Sequence, residues 1–266
     1  MPQAVRPYNF LPWTFVSNGP VEAVMHLEHH RWYSPRLNRE MGVVVCGHFG
    51  RPIVTFPTSG GNEWEYHDQG FLASVGDFID AGRVKFFCVD TNASASLYDK
   101  GAHPRHRSWL QRMYDEYLTD ELVPFVHHHC RGWQPITTLG ASLGAYYAVN
   151  ALLKHPDVFK RCFGLSGLYD MRRFMDGGYD DNFYFNNPVD YVQGLSDPWF
   201  HEQLRSCDIR LVTGHGPFEN SGPSYQLSHI LGSKGIAHSL DDWGPLGGHE
   251  WPYWKHQVRN YLNRMY

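Results

Sequence analysis

The sequence predicts an α/β protein: a mostly parallel central sheet with antiparallel N-terminal strands and helices on both faces. Three observations predict it. From Val84 onward, short apolar runs rich in β-branched residues alternate with stretches of helical length and spacing. The first third carries short apolar runs separated by turns and no helical stretch between them. The 266 residues, 42% hydrophobic and 19% charged, are globular in composition and enough for one domain with a well-buried core.

Taken in order, Ala23 to Trp32 carries alternating apolar residues, Met41 to Cys46 is a short β-branched run, and Pro52 to Phe56 is another. These three predict the antiparallel start. Val84 to Val89 is a buried strand, and Trp109 to His128 places apolar residues at helical spacing. Ile136 to Leu139 is a strand, Leu143 to Lys154 a helix, and Cys162 to Leu165 a strand again. The Asp/Asn/Gly/Tyr-rich stretch Asp176 to Asn187 is an insertion over the sheet, because its turn residues alternate with aromatics that can pack. Ile209 to Val212, Tyr225 to Leu231, Ala237 to Trp243 and His249 to Leu262 resume the alternation. A parallel crossover needs a dozen or so residues, usually a helix, so this order implies a parallel sheet covered on both faces. With no internal repeat or linker, residues 1–266 are expected to form a single domain without a separate lid domain.

A formal net charge of -4, with no block of five like charges, offers no footprint for nucleic acid or an anionic membrane surface. A small neutral or apolar substrate fits better. Met1 to Pro12 has one Arg and no apolar core of a secretion signal, and no apolar run approaches the ~20 residues that span a bilayer. The five cysteines are odd in number, widely spaced and without a Cys-x-x-Cys pair, which predicts reduced, mostly buried thiols in a cytoplasmic protein. Self-association into a homo-oligomer is left open. The aromatic share of 15% predicts a bulky core before an aromatic-lined cleft.

Gly140-Ala141-Ser142-Leu143-Gly144 is the sharpest signal. In a nucleophile elbow a serine occupies a strained turn between a strand and a helix, and glycines two residues to either side let the helix approach. With 26 glycines in the chain the motif alone decides little; its context decides, with a strand before it and a helix after it. Such a serine needs a base, and in this arrangement the order is serine, acid, histidine, with the histidine near the C-terminus. His249, in Gly247-Gly248-His249-Glu250-Trp251, follows the expected last strand. His229 and His238 are rivals by order but fall within an expected helix and strand. The acid belongs just after the strand ending near Thr213, where Glu219 stands; Asp242 and Asp241 at the end of the next strand are the alternatives. Donors for a tetrahedral intermediate are expected from the amide of Leu143 and from Pro57-Thr58-Ser59-Gly60-Gly61, with Ser59 first and Gly60 second.

These residues resemble the esterase D-like esterase family of α/β-hydrolases, a group that includes feruloyl esterases and mycolyltransferases. The resemblance runs from the strand at Pro52 to the terminal helix. It rests on Phe56-Pro57-Thr58-Ser59-Gly60-Gly61, the elbow at Ser142, Tyr184-Phe185-Asn186-Asn187-Pro188, Gly214-His215-Gly216-Pro217-Phe218-Glu219 and Gly248-His249-Glu250-Trp251-Pro252. It implies an α/β-hydrolase fold, with Ser142 as nucleophile, Glu219 as acid and His249 as base. The second oxyanion loop departs from the His-Gly-Gly-Gly form of lipases, and the acid is Glu where many relatives have Asp.

Lesser signals remain. His127-His128-His129 on a helix and His29-His30 on a strand each point in diverging directions, so neither run is expected to bind a metal ion. The loop after Val89 lies where open α/β sheets bind ligands, which makes Asn92 and Tyr98 candidates for substrate contact, with Tyr179, Phe183 and Trp243 behind them. The chemistry expected is hydrolysis of small carboxylic esters through an acyl-enzyme, with no metal or organic cofactor implied. Acyl transfer or thioester hydrolysis by the same triad, and a non-catalytic binding scaffold, are the competing readings.

Overall fold

Among the described residues, strand-forming runs at eight places meet in one sheet. The structure, a computed structural model, describes residues 25–266. Met1 to Pro12, and Ala23 and Val24 of the first expected strand, lie outside the described residues. The strands are β1 (Leu27–Ser34), β2 (Arg39–Cys46), β3 (Arg51–Phe56), β4 (Val84–Val89), β5 (Ile136–Ala141), β6 (Phe159–Leu165), β7 (Asp208–Thr213) and β8 (Ser239–Asp242). Their order is β1-β2-β4-β3-β5-β6-β7-β8. β2 runs antiparallel to β1 and β4, and every other pairing is parallel.

The expected antiparallel start is therefore only two strands deep. β3 does not extend the hairpin of β1 and β2, because β4 inserts between β2 and β3 and pairs with β3 in parallel. Periodicity marks β3 as a strand but carries no information about its neighbour, and the chain between β3 and β4 is long enough for a crossover.

That crossover holds three short helices, α1 (Glu65–Asp68), α2 (Phe71–Ser74) and α3 (Gly76–Asp80). Next come α4 (Pro104–Tyr117), a π-helical turn (Leu118–Leu122) and α5 (Val123–His129), which together make up the helix expected from Trp109 to His128. It begins five residues early, capped by the His103 side chain with Pro104 in the first turn, where a missing N–H costs nothing. The π turn precedes Pro124, whose ring cannot supply an amide to the helical ladder. α6 (Leu143–Lys154) has the bounds expected. After β6 come α7 (Asp181–Tyr184), α8 (Pro188–Gly194) and α9 (Pro198–Leu204), then α10 (Gly222–Ser233) and α11 (Trp251–Met265). The aromatic insertion packs on α6: the Tyr146 hydroxyl donates to the Asn186 carbonyl at 2.8 Å.

Alternation along the buried strands sorts their side chains onto two faces. Val43, Val45, Phe87 and Val89 join a core with α4, α5, α6 and α10, while Val44, Cys46, Phe86 and Cys88 join the one under α1 to α3 and α11. The strand order reverses at β3, with β4 on one side and β5 on the other. A crevice opens at the carboxyl ends of strands at such a switch point, and the residues that follow β3 and β5 are Pro57 to Gly61 and Ser142.

Candidate active site

Ser142 joins β5 to α6 with φ 56° and ψ -120°, a conformation that costs a non-glycine residue on the order of 1–3 kcal/mol. Its neighbours over-determine it. The Ser142 amide donates to the Leu165 carbonyl of β6 at 2.9 Å. A Cβ on Gly140 would lie 2.1 Å from the Gly144 carbonyl oxygen, and one on Gly144 would lie 2.2 Å from that of Phe56. Backbone thus packs on backbone from β5 to α6 to β3, and the amino end of α6, with the Leu143 amide, lies against Phe56 and Pro57.

The turn after Pro57 is braced from below. Gly61 N donates to the Thr58 carbonyl at 3.1 Å, Gly60 holds φ 79°, and Glu65 accepts from the Thr58 amide at 2.7 Å and its hydroxyl at 2.5 Å. Ser59 and Gly60 are left exposed at its tip. They border a cavity of about 840 Å³ that Arg31, Arg39, Trp64 and Tyr98 also line. The Ser59 and Tyr98 hydroxyls are hydrogen-bonded at 2.5 Å.

Across the crevice, the loops after β7 and β8 are laced together. His215 N donates to the Gly244 carbonyl at 2.7 Å, Gly216 N to Gly247 at 2.9 Å, and His249 N to Pro217 at 2.9 Å. The crossing needs glycine, since a Cβ on Gly214 would lie 2.5 Å from the Gly247 Cα. This lacing sets Glu219 beneath His249. The Glu219 side chain has no exposed surface, and its Oε1 accepts from the Thr213 hydroxyl at 2.9 Å. Its Oε2 is buried with no hydrogen-bond partner and lies 3.8 Å from His249 Nδ1. That is ion-pair separation, about 1 Å longer than the charge-assisted hydrogen bond the same atoms can form. Acid–base contacts of this kind commonly tighten only when substrate binds.

A chain of contacts ties the imidazole to the elbow. The His249 ring packs edge-on against Trp254 at 5.2 Å, and Trp254 Nε1 donates to the Ser166 hydroxyl at 2.9 Å. Ser166 follows Leu165, the residue that holds the Ser142 amide. Burial holds His249 below the usual histidine value of 6.5, opposed by the charge of Glu219. The net effect favours a neutral ring at pH 7.

The alternatives are occupied elsewhere. Asp241 accepts from the Tyr261 hydroxyl at 2.6 Å, and Asp242 from the Tyr225 hydroxyl at 2.7 Å and His215 Nε2 at 2.9 Å. His229 is exposed on α10, and His238 bonds Ser228 and the Ile236 carbonyl. Asn92, expected to touch substrate, is 1% exposed, and its amide donates to the Leu110 carbonyl at 2.7 Å. It braces its loop from inside while Thr91, Ala93 and Ser94 face the cavity. Tyr179 and Phe183 line a different cavity, beside Asp176 and Asp180, and Trp243 donates to the Tyr261 hydroxyl at 3.2 Å. Thr213, Glu65 and Trp254 support the site without having been singled out in the sequence. Thr213 ends a strand and Trp254 follows the histidine closely, but nothing local gives either a partner.

Residues 56–265 match the model of a family described as "Putative esterase". No match was found among curated protein sequences. Among solved structures, the chain is similar to a ferulic acid esterase, with 15% identity, a TM-score of 0.69, and 91% of this chain and 99% of that one covered. It is similar to an S-formylglutathione hydrolase from Agrobacterium tumefaciens at 16% identity and TM-score 0.69, covering 92% and 95%. It is also similar to a fluorophosphonate-binding serine hydrolase, FphF, of Staphylococcus aureus at 15% identity and TM-score 0.64, covering 91% and 98%.

Proposed function

Because the chain belongs to this esterase family and is a carboxylic ester hydrolase of the α/β-hydrolase fold, we propose that it cleaves small carboxylic esters through an acyl-enzyme on Ser142, acting as one catalytic domain without a lid. The Ser142 oxygen attacks the ester carbonyl as His249 takes its proton. The tetrahedral intermediate collapses with loss of the alcohol, which leaves with that proton. Water then attacks the acyl-serine by the same route, releasing the acid. Glu219 fixes the ring's tautomer and stabilises the imidazolium formed in each half. The developing oxyanion takes hydrogen bonds from the Leu143 amide and from an amide of the Ser59–Gly60 turn.

The observation that carries this reading is the buried, unpartnered Oε2 of Glu219 facing His249 Nδ1. A buried carboxylate oxygen without a donor is costly in a merely structural role and useful where positive charge develops on the neighbouring imidazole during the reaction. The cavity beside Ser59 and Gly60 is the place for one half of the ester. The separate nature of the five cysteines supports a cytoplasmic location. Among the described residues, no helix is long and apolar enough to cross a membrane.

Covalent labelling by a fluorophosphonate tests the reading. Label is expected on the wild type and on a variant of the exposed Ser206→Ala, and lost in Ser142→Ala. Labelling that persists in Ser142→Ala overturns the assignment. Rates on a panel of esters and thioesters of graded chain length then separate ester from thioester hydrolysis, and added alcohols reveal acyl transfer.

A further inference from the structure

Two histidine runs that cannot hold an ion separately are brought together by the fold. Alternation along β1 places Glu28 and His30 on one face of the strand, His26 stands just before it, and His129 reaches the same point from the end of α5. His30 Nε2 donates to Glu28 Oε2 at 2.9 Å, and His129 Nε2 donates to the same oxygen at 3.2 Å. All three ligand atoms lie within 4.8 Å of one another. Zinc held by nitrogen and oxygen at about 2.0–2.1 Å in a tetrahedron sets its ligands roughly 3.3 Å apart, so these atoms need little movement to surround it.

We propose that Glu28, His30 and His129 form a divalent metal site of the zinc class, away from Ser142, that fastens β1, at the edge of the sheet, to α5. Two imidazoles and a carboxylate make a zinc ligand set that leaves a fourth position to water. The surroundings fit a held site. His26 Nε2 donates to the other Glu28 oxygen at 2.7 Å and so orients the carboxylate. Phe125 packs on both imidazoles, at 5.0 Å and 5.6 Å, and Phe87 lies against His129 at 5.7 Å. His129 Nδ1 is buried without a hydrogen-bond partner, so the polar contact of this ring is made at the Glu28 oxygen. His30 and Glu28 are each about one-third exposed, which leaves a path from solvent.

Calorimetric titration of the chelator-stripped chain with Zn²⁺ is expected to give one ion per chain. His30→Gln and His129→Gln each weaken it by more than about a hundredfold, since loss of even an outer-shell partner costs 10–100-fold. His128→Gln, on the exposed side of the same helix, leaves it unchanged. At a hundredfold excess over Kd, the ion raises the melting midpoint by roughly 5 °C. Fluorophosphonate labelling of Ser142 is unaffected by the bound ion, which separates this site from one at His249. Absence of stoichiometric binding, or wild-type affinity in His30→Gln, overturns the proposal. Should the variants not fold, Co²⁺ decides on the unaltered protein. Intense visible absorption of a four-coordinate ion supports the site, and a weak six-coordinate spectrum or none overturns it.

Discussion

Glu219→Gln removes a charge while keeping the shape of the side chain, and the hydrogen bond from Thr213 to its Oε1 survives the change. The lost carboxylate oxygen lies 3.8 Å from His249 Nδ1, with no exposed surface on the carboxylate and about one-third exposure on the ring. Two unit charges at that separation attract by about 4 kcal/mol at an effective dielectric near 20. The attraction exists only once the ring is protonated, which in the proposed mechanism happens as Ser142 is acylated and again as the acyl group leaves. It therefore falls on the transition state, and the expected result is a kcat lowered roughly a thousandfold with KM little changed. Stability is not expected to suffer: the substitution removes the charge from a fully buried side chain and keeps its shape, so the melting midpoint does not fall. The assay is steady-state hydrolysis of an activated ester alongside thermal melting. Asp242→Asn serves as the control, because Asp242 is held by Tyr225 and His215, and its rate stays within about threefold of wild type. A loss below about tenfold in Glu219→Gln, or an equal loss in Asp242→Asn, refutes the assignment of the acid.

Four further outcomes follow from the site and its surroundings. Since burial holds His249 below 6.5 and only the neutral ring accepts a proton, kcat/KM rises with pH along a limb centred below 6.5; a limb centred above it contradicts the burial argument. The linked stability has a definite sign: the folded value lies below the unfolded one, so the group costs nothing above about 6.5 and destabilises progressively as pH falls through 6.5 toward the folded value, visible in melting midpoints across that window. Ser142→Gly abolishes labelling yet raises stability by about 1 kcal/mol, because glycine accepts φ 56° without strain; a lowered midpoint speaks against strain at the elbow. Gly144→Ala, whose new methyl would sit 2.2 Å from the Phe56 carbonyl oxygen, loses about 3 kcal/mol or more on denaturant unfolding, and an unchanged midpoint shows that α6 can move away from β3.

Short-range physics made much of this legible from the sequence. The alternating order of strands and helices, the bounds of α6, and the elbow at Ser142 follow from periodicity and turn chemistry within a dozen residues. The order of Glu219 and His249 along the chain was readable for the same reason, each falling just after a recognisable strand. The tertiary structure alone decided which neighbours those strands take. β4 inserted itself between β2 and β3, and the reversal at β3 brought Pro57 to Gly61 beside Ser142. The tertiary structure also set Glu219, which the sequence placed first, apart from the alternatives Asp241 and Asp242 by spending the two aspartates on Tyr261, Tyr225 and His215. It also turned Asn92 inward and joined His30 to His129. The division has a physical cause: backbone propensity and hydrophobic period act between residues near in sequence. The meeting of two loops or the pairing of a buried carboxylate depends on strand order and packing summed over the whole chain.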